Sequence, residues 1–146
     1  MASAFKYHDQ FFYVSNRRFS ALITFGLQVG AKSASTETER SYVSGLRKRR
    51  EAFYPGYDLG IESEFSSREE RKFWARVFFD LAYLIFRKEV GKQDTAFWQY
   101  SAVGDAYLLA RMITRSVQEE EQAWHPTTMA SVEADAFYQK GVNVRL

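Results

Sequence analysis

The sequence predicts a mainly α-helical chain, with residues 1–146 forming a single compact helical domain around an antiparallel helix pair. Three observations predict it. Ser67 and Glu70 form a capping box that opens a long apolar pattern of helical period. A second such pattern starts after the short Gly91–Gln93 connection, which is short enough to fold the two helices against each other. Thr36 and Glu39 form a further capping box upstream.

The first 30 residues carry two patterns. Phe19, Ala21, Ile23, Phe25, Leu27 and Val29 alternate as in a strand, with Ser15–Arg18 able to turn a β-hairpin. Phe19, Leu22, Ile23 and Leu27 also fit one face of a helix capped by Ser15 or Asn16. The helix is preferred, because the later elements are helical and a lone hairpin is marginally stable; the N-terminal β-hairpin is the alternative. Thr36 then opens a helix through Tyr42, Val43, Leu46 and Phe53 that must stop before Pro55-Gly56. Residues 55–65, PGYDLGIESEF, read as a loop.

From Ser67 a helix spans 67–90, with Phe65 available as a hydrophobic staple. Phe73, Trp74, Val77, Phe78, Leu81, Ala82, Leu84 and Ile85 supply its apolar face. Arg87 and Lys88 suit its negative end, and Gly91 stops it. Asp94 caps a helix over 95–121, whose apolar positions run from Phe97 and Trp98 through Ala106 and Tyr107 to Ile113 and Val117. After His125-Pro126 a short helix over 128–139 is expected, and Gly141 then releases Val142, Val144 and Leu146 as an extended tail.

Composition excludes several function classes. With 46% hydrophobic and 26% charged residues, the chain reads as a soluble domain burying about 70% of its unfolded surface. Having no cysteine, it can form no disulfide, thiolate metal site or cysteine nucleophile. The opening MASAFKYHDQ lacks the apolar stretch of a signal peptide, and no run is long and apolar enough for a bilayer, so a cytoplasmic protein without membrane contact is expected. Its 25 aromatics exceed what a core this size needs, so some should reach a binding surface. The formal charge is only +2, but residues 1–57 carry +5 and residues 58–146 carry −3.

Asp80 sits in the apolar run FWARVFFDLAYLIF, in line with Phe73, Val77 and Leu84, and Asp105 aligns with Trp98, Ala102 and Leu109. A buried carboxylate must be paired. The expected role is structural, with Arg76 one turn from Asp80 and Arg111, Tyr83 and Tyr107 as further partners. Two acids doing catalytic or metal work is the alternative, but di-iron bundles add Glu-x-x-His pairs and none occurs. His8 and His125 have no neighbouring ligand set, so no metal is expected. Asp58 with Glu70-Arg71-Lys72 is similar to the acid…Glu-x-Lys arrangement of metal-dependent nucleases, but here these residues open a capped helix where a nuclease uses a strand. Gly26 and Gly30 and the Gly56–Gly60 loop lack the spacing of phosphate cradles, so no cofactor is expected.

Two patches point to partners. Arg47-Lys48-Arg49-Arg50 stands among Tyr42, Phe53, Tyr54 and Tyr57, where cations and rings could hold an acidic protein or phosphates and bases. Four consecutive helical residues point nearly all round the axis, and the overall charge is low for a nucleic-acid binder. The expected partner-binding face is Arg47, Arg49, Arg50, Tyr54, Tyr57 and Asp58. The second candidate is Glu119-Glu120-Glu121 with Trp124, where three acids sit unfavourably at the negative end of a helix.

The segments SREERKFWARVFFDLAYLIF and DTAFWQYSAVGDAYLLARMI, each with a Trp near its start, resemble small helical immunity proteins of bacterial toxin–immunity systems. The resemblance covers under half the chain and carries no site to particular positions. It implies a non-enzymatic cytoplasmic inhibitor bound to a cognate toxin domain. A nucleic-acid-binding or regulatory helical protein using residues 47–50 is the alternative.

Overall fold

The computed structural model describes residues 2–87, 96–122 and 124, with 96–101 described in backbone only. The mainly α class holds, with a small sheet added. Strands β1 (Ala2–Tyr7) and β2 (Gln10–Ser15) form an antiparallel hairpin in which Phe5 lies opposite Phe12. Their inward residues Phe5, Tyr7 and Val14 are buried. The turn is His8-Asp9, and His8 takes a left-handed backbone (φ 54) that few non-glycine residues adopt.

Helix α1 (Asn16–Ser33) follows at once, with the Ser15 hydroxyl accepting the Arg18 N–H at 3.2 Å as its N-cap. The preferred helix over Phe19–Val29 is therefore present, and Ser15–Arg18 is a cap where the alternative had a turn. The hairpin lies upstream, in residues 2–15. It is not a lone hairpin, because β3 (Asp58–Gly60) adds to the other edge of β1 in parallel, giving the order β2-β1-β3.

That strand corrects the loop expected over 55–65. Leu59 and Ile61 are fully buried, and the helical turn α3 (Ile61–Glu64) follows directly. Helix α2 (Glu37–Arg50) begins at the Thr36 cap as expected, but ends at Arg50, leaving Phe53 in the turn beyond it. Tyr54-Pro55-Gly56-Tyr57 closes by Tyr57 N–H to Tyr54 C=O at 3.0 Å. Pro at the second position and Gly56 at φ 82 in the third are the demands of a type II turn.

Helix α4 (Arg68–Phe86) starts at Ser67, whose hydroxyl accepts the Glu70 N–H at 3.1 Å. Its last described turn ends at Phe86, with Arg87 as the cap, and the expected residues 88–90 lie outside the described residues. Phe65 stacks on Trp74 at 5.6 Å, pinning the entering chain. Helix α5 (Ala96–Glu120) is the longest. The expected Lys88, Gly91 and Asp94 signals, His125, the 128–139 helix and the tail lie outside the described residues.

Helices α4 and α5 pack together, with Phe79 edge-on to Tyr107 at 5.7 Å. The core joins Phe5 of the sheet, Ile23 of α1, Leu46 of α2, Trp74 and Phe78 of α4 and Leu109 and Ile113 of α5. Helix α1 approaches α4 so closely that a Cβ on Gly26 would stand 2.6 Å from the Phe78 ring. No described helix is long and apolar enough to cross a membrane.

Candidate functional site

The end of α2 and the turn after it hold the first expected face, and the fold divides its residues. Arg49 turns inward: its Nε donates to Glu64 Oε2 and its Nη2 to the Glu64 backbone oxygen, both at 2.9 Å. Tyr57 joins the same carboxylate, its hydroxyl donating to Glu64 Oε1 at 2.7 Å. Burial, and then that bond to an anion, push the Tyr57 phenol up to about 12. Arg49 and Tyr57 are thus engaged within the chain. Arg47, Lys48, Tyr54 and Asp58 are exposed. Tyr54 is 64% exposed, its ring edge-on to Tyr57, which in turn stacks on Phe53 at 4.5 Å.

Arg50 behaves differently again. It is half-buried, and its Nη2 donates to the neutral Thr24 hydroxyl of α1. It floors one side of a cleft of about 210 Å³ between α1 and the 51–57 turn, with Asn16, Ser20, Phe19, Phe53 and Tyr54 among the walls. Asn16 Oδ1 is occupied, accepting the Ser3 hydroxyl at 2.7 Å and the Gly56 N–H at 3.1 Å. Asn16, Ser20 and Phe19 were not among the expected site residues. Their α1 positions become neighbours of Arg50 only through helix packing.

The acidic patch is engaged within the chain. Glu120 pairs with buried Arg71 and with Arg68; Glu121 pairs with Lys72 at 2.9 Å and Arg68 at 3.2 Å. Lys72, by its hydrogen bond, holds the Glu121 carboxyl below its ordinary value. Lys72 also lies over the Trp124 ring at 5.8 Å. Glu120 and Glu121 are thus tolerated at the end of α5 because the start of α4 supplies Arg68, Arg71 and Lys72. Glu119 accepts the Tyr7 hydroxyl and pairs with Arg115 at 3.4 Å. Burial, then this contact, raises the Tyr7 phenol. His8 stands 3.5 Å from Glu62 and 3.9 Å from Glu119.

Asp105 is buried, as its place on the apolar stripe demanded, and it pairs with a residue that was not among the partners expected. Arg18 of α1 grips it with Nε, at 2.7 Å, and Nη2. Arg76, expected to face Asp80, also reaches Glu39 of α2 at 3.6 Å, and both Arg76 and Asp80 are only half-buried. Packing α2 beside α4 brings an acid to Arg76 from outside its own helix.

The nuclease-like residues are dispersed. Asp58 is exposed on β3, whereas Glu70 is buried and accepts the Trp74 indole N–H at 3.2 Å. Arg71 donates to the Phe65 and Ser66 carbonyls at 2.9 and 3.2 Å. Among the described residues no group of three or more acids and histidines is placed to hold a metal ion. Comparison with protein-family models, curated proteins and solved structures finds no match to the chain.

Proposed function

We propose that the chain works by binding another protein and turns nothing over. In this reading it is an immunity-type inhibitor holding a cognate toxin domain in the cytoplasm, and α4 and α5 are the antiparallel pair at the centre of one compact domain. One observation carries the binding face. At the end of α5 every acid is matched by the chain's own cations, whereas at the end of α2 Arg47, Lys48 and Arg50 form no ion pair among the described residues. Unmatched cations beside the exposed Tyr54 ring combine the residue types that anchor protein interfaces. An acidic partner surface would complete the pairing. Single- or double-stranded nucleic acid is the second reading, favoured by the same cations.

The test is affinity capture from native lysate by the wild-type chain and by an Arg47→Glu, Lys48→Glu, Tyr54→Ala variant, each repeated after nuclease digestion. All three positions are exposed, so the fold should persist. The expected result is a stoichiometric protein that survives nuclease and is lost with the variant. Recovery of nucleic acid alone overturns the reading, and a protein retained by the variant removes this face from it.

A further inference from the structure

Among the described residues, the cleft between α1 and the 51–57 turn is lined by one charged side chain and no carboxylate. Arg50 is the single ion lining it, its hydrogen-bond partner is the uncharged Thr24 hydroxyl, and no carboxylate approaches it among the described residues. A half-buried cation without a counter-ion is unfavourable, and a guanidinium presents five donors in a fork that fits a carboxylate with two parallel bonds. With the Asn16 carbonyl oxygen already taken by Ser3 and Gly56, what Asn16 still offers is its amide N–H groups, and the Ser20 hydroxyl stands nearby. The opposite walls are rings: Phe19 meets Phe53 edge-on at 6.1 Å, and Phe53 stacks on Tyr57.

We infer that this cleft is a socket for one carboxylate carried on an apolar stem, presented by the protein partner as an Asp or Glu side chain. Charge selects the group: one cation matches a carboxylate, whereas a phosphate at neutral pH carries about −1.5 to −2 and would stay under-neutralised. Size selects the source. At about 210 Å³ the cleft falls below the roughly 300–1,000 Å³ of small-molecule pockets and suits a single anchoring side chain. The source of the carboxylate rests on the protein-binding reading; the chemistry of the cleft does not.

The experiment is an amide and arginine side-chain NMR titration of the full chain with phenylacetate, its neutral isostere phenylacetamide, and inorganic phosphate. Phenylacetate is expected to shift the Ser20, Phe53 and Tyr54 amides and the Arg50 Nε–H saturably, with millimolar affinity. Phenylacetamide is expected to bind at least about tenfold more weakly, because a hydrogen bond to a charged group is worth about 1.5–3 kcal/mol. Arg50→Gln should abolish the response. Should its lost Thr24 contact unfold the chain, Ser20→Leu fills the cleft with Arg50 intact and should abolish it equally. Equal binding of the amide, or a response that survives Ser20→Leu, overturns the socket. Phosphate binding tenfold tighter than phenylacetate overturns the carboxylate, and micromolar phenylacetate binding overturns the side-chain source. Partner capture that needs Tyr54 without any phenylacetate response sinks the socket alone. A phenylacetate response without a protein partner sinks the binding reading and leaves the cleft chemistry standing.

Discussion

Arg18 and Asp105 hold each other across 87 positions of sequence, and the two sides of the pair are unequally exposed. Asp105 is almost fully buried, whereas about a third of Arg18 still reaches water. Removing one partner of a buried pair costs about 3–5 kcal/mol because the other charge is stranded. Arg18→Met strands Asp105 and should approach that figure, whereas Asp105→Asn strands a guanidinium that can turn to solvent, so roughly 1–2 kcal/mol is expected after that screening. Urea denaturation of the two variants checks the order; equal losses would show that burial does not set the cost. Glu70 supplies a second contrast. Burial pushes its carboxyl up, against the Trp74 indole and Arg49, so its charged form weakens the fold at neutral pH. Glu70→Gln keeps an acceptor for Trp74 and should be neutral or stabilising at pH 7, whereas Glu70→Ala orphans a buried N–H and should cost about 1–3 kcal/mol. Thermal melts of both variants decide. Glu39 has the opposite sign: the Ser35 N–H, the Ser35 hydroxyl and the Thr36 N–H hold its carboxyl below the ordinary value. Its stabilisation is therefore complete above the unfolded value of about 4.3 and is lost as pH falls through the lower folded one. Glu39→Gln should lower the melting temperature near neutrality and flatten its fall in acid; parallel acid limbs for variant and wild type would contradict this.

At the scale of elements, α1 sits against α4 where a side chain is missing. Alanine favours a helix over glycine by about 1 kcal/mol, so exposed helical glycines gain from the exchange. At Gly26 the added methyl would collide with the fully buried Phe78 ring, and overpacking costs about 1–3 kcal/mol. Gly26→Ala should therefore be destabilising. Gly45→Ala on α2 meets only the far end of the Arg49 side chain, 3.0 Å away, and should be neutral or gain a few tenths to about 1 kcal/mol. Denaturation midpoints of the pair test whether the α1–α4 approach is real: a stabilised Gly26→Ala would mean that it is not. Ser15 shows how two elements share a residue, ending β2 at its register partner Ala2 and capping α1 with its hydroxyl. Such a junction leaves no linker between strand and helix, and its local pattern can be read either way.

At the scale of the molecule, charge among the described residues is matched at the end of α5 and unmatched at the end of α2. Arg68, Arg71 and Lys72 answer the acids that close α5, leaving the positive excess of the first 57 residues concentrated at the end of α2. Exposed charges steer an encounter and are screened within about 10 Å at 0.1 M salt. With a captured partner, the association rate should fall several-fold as salt rises, with much less change in dissociation, because rim charges act mainly on approach. Stopped-flow or surface-binding kinetics at two ionic strengths would show this; a salt-independent association rate would remove electrostatic steering from the proposed mode.

By itself the sequence determined the long helices and missed the short α3. The starts of α1, α2 and α4 were legible because Ser15, Thr36 and Ser67 bind an N–H only three residues away, and the apolar period of α4 and α5 repeats every turn. Signals of that range are complete within a short stretch of chain. Tertiary structure alone decided the rest. The strand β3 is three residues long and carries no period; it exists because β1 offers a free edge and Leu59 a place in the core. The hairpin turn His8-Asp9 lacks the glycine that announces tight turns. The partners of Asp105, Arg76 and Glu120 come from other elements, and the Arg50 cleft gathers residues from β1, α1 and the turn after α2. Sequence shows that a buried charge needs a partner; which one it finds is set by contacts between elements distant along the chain.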